Sequence, residues 1–83
     1  MKAINYTRAA QKQLRNIDVQ AARLIRTKIE QYAADPKSLA NQVKALKGVD
    51  ALRLRVGHYR VIFTEDGVVL LVLRIGHRRD IYE

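Results

Sequence analysis

Residues 52–82 read LRLRVGHYRVIFTEDGVVLLVLRIGHRRDIY. Leu52, Leu54 and Val56 alternate with Arg53 and Arg55, the period of two that a strand with one apolar and one cationic face produces. Gly57-His58 supplies a turn, and Tyr59 to Thr64 a second strand. Asp66-Gly67 is a hairpin signal. Val68 to Ile75 is a nearly continuous apolar run, the pattern of a central strand covered on both faces. The stretch ends in Gly76-His77-Arg78-Arg79-Asp80-Ile81-Tyr82, and Asp80 to Glu83 is placed to add a short last strand.

Two-residue loops at both turns would fix the register by counting. Leu54 then faces Val61, Arg55 faces Arg60, Phe63 faces Leu70 and Val61 faces Val72. Directly opposed residues share a face. One face carries Leu52, Leu54, Val56, Tyr59, Val61, Phe63, Leu70 and Val72, a core face. The other carries Arg53, Arg55 and Arg60 beside Ile62, Leu71, Leu73 and Ile75. Arg74 falls with Tyr59 on the core parity, which predicts a structural partner for it. Like charges opposed across strands cost stability, a cost that makes sense on a surface built for a phosphate-rich ligand.

Upstream, Lys2 to Tyr6 predicts an edge strand. Thr7 is an N-cap for a helix reaching about Asn16, with Ala10, Leu14 and Ile17 in one stripe. Asp18 caps a second helix from Val19 to about Ala34, with Ala22, Ile25, Ile29, Tyr32 and Ala33 on one face. Asp35-Pro36 ends it, because the residue before proline avoids helical geometry. Leu39, Val43 and Leu46 recur at helix-like spacing and predict a short helical turn; Lys44, Lys47 and Gly48 then lead into the sheet. The pattern is α+β: an N-terminal strand and a helical hairpin packed on one face of a small, mainly antiparallel twisted sheet.

With 83 residues, the chain is expected to form a single domain over 1–83. Sixteen Lys and Arg against eight Asp and Glu give a net charge of +8, which favours a nucleic acid or an RNA-rich assembly as partner. No cysteine is present, so disulfides and thiol nucleophiles are excluded. The N-terminal residues hold no apolar run like that of a signal peptide, and Val68 to Leu73 is far too short to span a bilayer. A cytoplasmic protein without membrane attachment is expected. No Gly-rich phosphate loop, convincing Ser/His/Asp arrangement or good metal-ligand set occurs.

The residues Leu52-Arg-Leu-Arg, Tyr59-Arg60-Val-Ile-Phe and Arg74-Ile-Gly-His-Arg-Arg-Asp-Ile-Tyr82, with Leu46-Lys47-Gly48 upstream, resemble the RelE/ParE superfamily of bacterial and archaeal toxins over nearly the whole chain. The terminal Gly-His-Arg-Arg-Asp-Ile-Tyr is most similar to the RelE branch. That resemblance implies the toxin of a type II toxin–antitoxin system, entering the 30S A site of the ribosome and cleaving the mRNA there. It implies no metal or other cofactor, a cognate antitoxin protein, and operator DNA binding only through the antitoxin complex. By the family's pattern Arg60 holds the scissile phosphate, Arg78 stabilises the transition state or leaving oxygen, and Tyr82 stacks on a base or orients the nucleophile. Arg53, Arg55, Arg79 and Lys47 are candidates for RNA binding.

Arg53 and Arg55 stand where the RelE branch often has lysines, and an arginine is effectively never deprotonated. His77, whose side-chain type titrates near neutrality, is therefore the acid/base candidate. His58 reads as a turn residue, and Tyr6, Tyr32 and Tyr59 as core or interface residues. The alternative reading is a ParE-like toxin that binds and inhibits DNA gyrase without nuclease chemistry.

Overall fold

The computed structural model describes residues 1–81. Five strands form one sheet in the order β1-β5-β4-β3-β2, with β1 Ala3–Tyr6, β2 Val43–Ala45, β3 Leu52–Val56, β4 Tyr59–Glu65 and β5 Val69–His77. Only β1, on β5, is parallel; the other pairings are antiparallel. The expected α+β architecture, with its helical hairpin against one sheet face, is the observed one.

Helix α1 spans Arg8–Arg15 and is capped by Thr7, whose hydroxyl accepts from Ala10 N. Helix α2 spans Val19–Ala34 and is capped by Asp18, whose carboxylate accepts from Ala21 N. Side-chain caps of this kind satisfy N–H groups that the first helical turn leaves without partners. Leu14, Ile25, Ile29 and Ala33 pack onto Leu54, Val61, Phe63, Leu70 and Val72. Tyr32 lies edge-on to Phe63 with ring centres 5.1 Å apart. After Asp35-Pro36 the chain makes a 3₁₀ segment, Pro36–Gln42, and then β2. The expected short helical turn is present as this 3₁₀ segment around Leu39, but Val43 and Leu46 lie beyond it. Val43 and Ala45 instead pair with Leu54 and Leu52, so a fifth strand closes the sheet's far edge.

The β3–β4 turn has the expected two residues, with Val56 opposite Tyr59. Gly57 has φ 57° there, the positive value that the first central residue of a type II′ hairpin requires. The β4–β5 turn differs. Asp66 N donates to Val69 O, and Glu65 pairs with Leu70, so the chain reverses at Gly67-Val68. The Asp66 side chain explains the displacement. Its Oδ1 accepts from both Val68 N and Val69 N at 2.7 Å, a local bond that competes with the simple Asp-Gly hairpin. The N–H groups of Val69 and Val68 hold this carboxyl below its ordinary value.

The turn moves the register by two residues, which leaves the faces unchanged. A bulge then moves it again. Phe63 pairs with Val72, but Ile62 pairs with Arg74, so Leu73 is an extra residue in β5. Beyond it the alternation inverts: Ile75 enters the core, opposite Val61, and Arg74 turns to the other face. This corrects two expectations, that Ile75 lies among the arginines and that Arg74 has core parity. The physical reason is direct: without the extra residue an arginine would be buried and an isoleucine exposed.

Candidate functional site

Pairing across four strands builds a cationic face on the side of the sheet away from the helices. One row runs Lys44, Arg53, Ile62, Arg74, and the next runs Arg55, Arg60, Gly76. Arg53, Arg55 and Arg60 share this face, as the alternation of the strands predicts. Lys44 and Arg74 join them. Sequence reasoning missed both, Lys44 because β2 was not recognised and Arg74 because the bulge was not. Among the described residues no carboxylate occupies a paired position on this face. Ile62 is only 9% exposed beneath it, consistent with arginine stems covering apolar surface while their heads reach solvent.

Arg60 is fixed in place. Its Nη1 donates to Gly57 O at 3.0 Å and to Tyr59 O at 2.9 Å. These bonds draw its head toward the β3–β4 turn and relieve its direct opposition to Arg55. Its Nε is buried and has no hydrogen-bond partner among the described residues.

The tail after β5 folds back. Arg78 N donates to His58 O at 2.8 Å, and Asp80 N and Ile81 N both donate to His77 O. Asp80 and Ile81 therefore lie in a turn, not in the short last strand expected there. Ile81 is 6% exposed, and its Cδ1 would be 3.3 Å from a Cβ added to Gly76. Gly76 has the parity of Arg60 and Arg74, so Ile81 sits over the cationic face and Gly76 leaves room for it. Arg78 and Arg79 are exposed beside this turn. Tyr82, the remaining tail candidate, lies outside the described residues.

His77 occupies the rim. It pairs with Tyr59 and so has the parity of the core face, across the sheet from the arginines. Its ring stacks on His58 with centres 6.0 Å apart and meets Tyr59 edge-on at 5.9 Å. Nδ1 accepts from Arg79 N, so in the neutral ring Nε2 carries the hydrogen and is a donor. Lys47 is exposed in the turn between β2 and β3, outside the rows of the face. Among the described residues no three His, Asp or Glu side chains come together as a metal-ligand group, and no helix is long and apolar enough to cross a membrane. Concavities of about 320 and 310 Å³, around Asp50 and Glu65 and around Tyr6 and Arg26, include none of the face's cations. The candidate site is an open surface, suited to an extended ligand.

The model of the ParE toxin of type II toxin–antitoxin systems, parDE, matches residues 4–82, and the chain belongs to this family. Within it, the fold is RelE-like. The chain is similar to the toxin of the RelB-RelE complex from Methanococcus jannaschii, with TM-score 0.76 and 24% identity over 95% of each chain. It is similar to that of the Pyrococcus horikoshii RelE-RelB complex, with TM-score 0.79 and 21% identity over 95% of this chain and 97% of that one. For the intact Escherichia coli RelBE complex the TM-score is 0.76, at 20% identity over 93% and 96%. No curated protein matches the chain.

Proposed function

We propose that this chain is a ribosome-dependent endoribonuclease that cleaves mRNA in the 30S A site and so stops translation in the cytoplasm. The observation that carries the reading is the cationic face: Lys44, Arg53, Arg55, Arg60 and Arg74 on one side of four adjacent strands. In the reaction, the message's 2′-hydroxyl attacks the adjacent phosphorus. The P–O5′ bond breaks, leaving a 2′,3′-cyclic phosphate and a 5′-hydroxyl. The nucleophile loses a proton and the departing oxygen gains one, so no metal or other cofactor is required. Such a reaction needs positive charge at the phosphorane and groups that move the two protons.

Arg60 holds the scissile phosphate, and its anchoring to Gly57 O and Tyr59 O sets that position in advance. Arg78, in the tail that folds over the face, stabilises the transition state or the leaving oxygen. Tyr82 stacks on a base or orients the nucleophile. His77 is the acid/base candidate, at the rim where β5 ends and on the opposite parity to the arginines. Arg53, Arg55, Arg79 and Lys47 contact the RNA backbone. A cognate antitoxin neutralises the toxin by laying an acidic or amphipathic segment over it, and operator DNA is bound only through that complex.

The family model bears the ParE name, which favours a second reading: a toxin that binds DNA gyrase and does no nuclease chemistry. Mapping message ends in cells expressing the chain separates the two. Codon-phased cuts that disappear in Arg60→Ala and Arg78→Ala are expected. Growth arrest with intact messages and induced DNA damage would favour the gyrase reading and refute the nuclease.

A further inference from the structure

We infer that Arg74 is a phosphate-binding residue of the cationic face and that Gln13 and Thr7, on the opposite side of the sheet, position it. The inference rests on reading that face as a nucleic-acid surface. Arg74 reaches it only through the bulge at Leu73, since strict alternation from Leu70 and Val72 would direct it into the core. Bulges commonly re-aim one side chain, and the partners that hold them open decide how firmly it is aimed.

Here both peptide groups flanking Arg74 are held by side chains of α1, from its N-cap Thr7 and from Gln13 in its last turn. The Thr7 hydroxyl donates to Leu73 O at 2.8 Å, and Gln13 Oε1 accepts from Ile75 N at 2.6 Å. These bonds begin where β1 stops, at the pairing of Tyr6 with Val72 and the bond from Thr7 N to Val72 O. With both peptide planes fixed, the φ and ψ of Arg74 are fixed, and so is its Cα–Cβ direction. Arg74 then flanks Ile62 opposite Arg53, about 10 Å away at two strand spacings. Gln13 contributes no charge to the face; its part is to keep Arg74 there.

The test is binding of a single-stranded RNA oligonucleotide across a salt series. Arg74→Ala is expected to weaken binding several-fold and to reduce the slope of log K against log salt by about 0.7, one phosphate contact. Arg74 is exposed, so this variant keeps the fold. Gln13→Leu is expected to weaken binding to a similar extent, to add nothing in the double variant with Arg74→Ala, and to lose hydrogen-exchange protection at the Ile75 amide. Gln13→Glu, which restores an acceptor, is expected to regain that protection and most of the binding. Should Gln13→Leu fail to fold, Gln13→Ala takes its place with the same expectations.

An unchanged salt slope in Arg74→Ala, with tight wild-type binding, would overturn the role of Arg74. Additive losses, or an Ile75 amide still protected without Gln13, would overturn the positioning role. A wild-type chain that does not bind RNA at any salt would instead remove the nucleic-acid reading itself.

Discussion

Glu65 joins three elements. It accepts from Lys2 Nζ at 2.8 Å and from Tyr32 Oη at 2.7 Å, tying β1 and α2 to the end of β4. Partial burial works against its ionisation, but the bonds from Lys2 and Tyr32 outweigh this and hold the carboxyl below its ordinary 4.5. Burial, the bond to Glu65 and its charge push the Tyr32 phenol up to about 12 from 10.0. The signs are opposite. A depressed carboxyl contributes stability that is present above 4.5 and lost as pH falls through its folded value. A raised phenol contributes stability that is present below 10.0 and lost as pH rises toward about 12. Thermal melts of wild type against Glu65→Gln should therefore converge in acid and separate at neutrality. Tyr32→Phe should cost about 2 kcal/mol at neutral pH by chemical denaturation, because it removes a bond to a buried-side carboxylate. At the face, removing one donor from a developing oxyanion costs about 10²–10³ in rate. Arg60→Ala and Arg78→Ala should each show a loss of that size in single-turnover cleavage on programmed ribosomes, with melting temperatures near wild type.

At the level of elements, the tail turn is the part most sensitive to one added methyl group. Gly76→Ala places a Cβ 3.3 Å from Ile81 Cδ1, closer than ordinary contact, so the Ile81 side chain that seats the turn must give by a few tenths of an ångström while the sheet pairing remains. Cleavage should fall by more than stability, which comparison of rate with denaturation midpoint would reveal. Asp18→Ala should do the reverse, costing about 1 kcal/mol through the lost cap of α2 with cleavage unchanged. Both helices and their caps were legible in the sequence because the signals are local: a capping oxygen, an apolar stripe, a proline stop. The core face of β3 and β4 was legible because strand alternation survives a two-residue change of register. Three features were not. The β4–β5 reversal is set by an Asp66 side-chain bond that competes with a familiar dipeptide signal. β2 is three residues long and gains its identity only from pairing with β3. The bulge is flanked by bonds to Thr7 and Gln13, about 60 residues away in sequence, and no local pattern in β5 announces it. Arg74 was misplaced for that reason alone.

Over the whole molecule, a net charge of +8 is arranged so that Lys44, Arg53, Arg55, Arg60 and Arg74 share one sheet face, while the acidic Glu65 bonds to Lys2 and Tyr32. Such a surface binds polyanions by releasing counterions. If Lys44, Arg53, Arg55, Arg60 and Arg74 all engage phosphates, log K for single-stranded RNA should fall with log salt at a slope of about −3.5. Fluorescence anisotropy would measure it, and a slope near zero would show that the face is not used in this way. Cleavage by this face and its tail is measured on a defined mRNA with a vacant A site on purified ribosomes. A cut within the A-site codon is expected, leaving a 2′,3′-cyclic phosphate and a 5′-hydroxyl, and lost in Arg60→Ala and Arg78→Ala. An intact message at stoichiometric toxin, alongside inhibition of gyrase supercoiling, would contradict it.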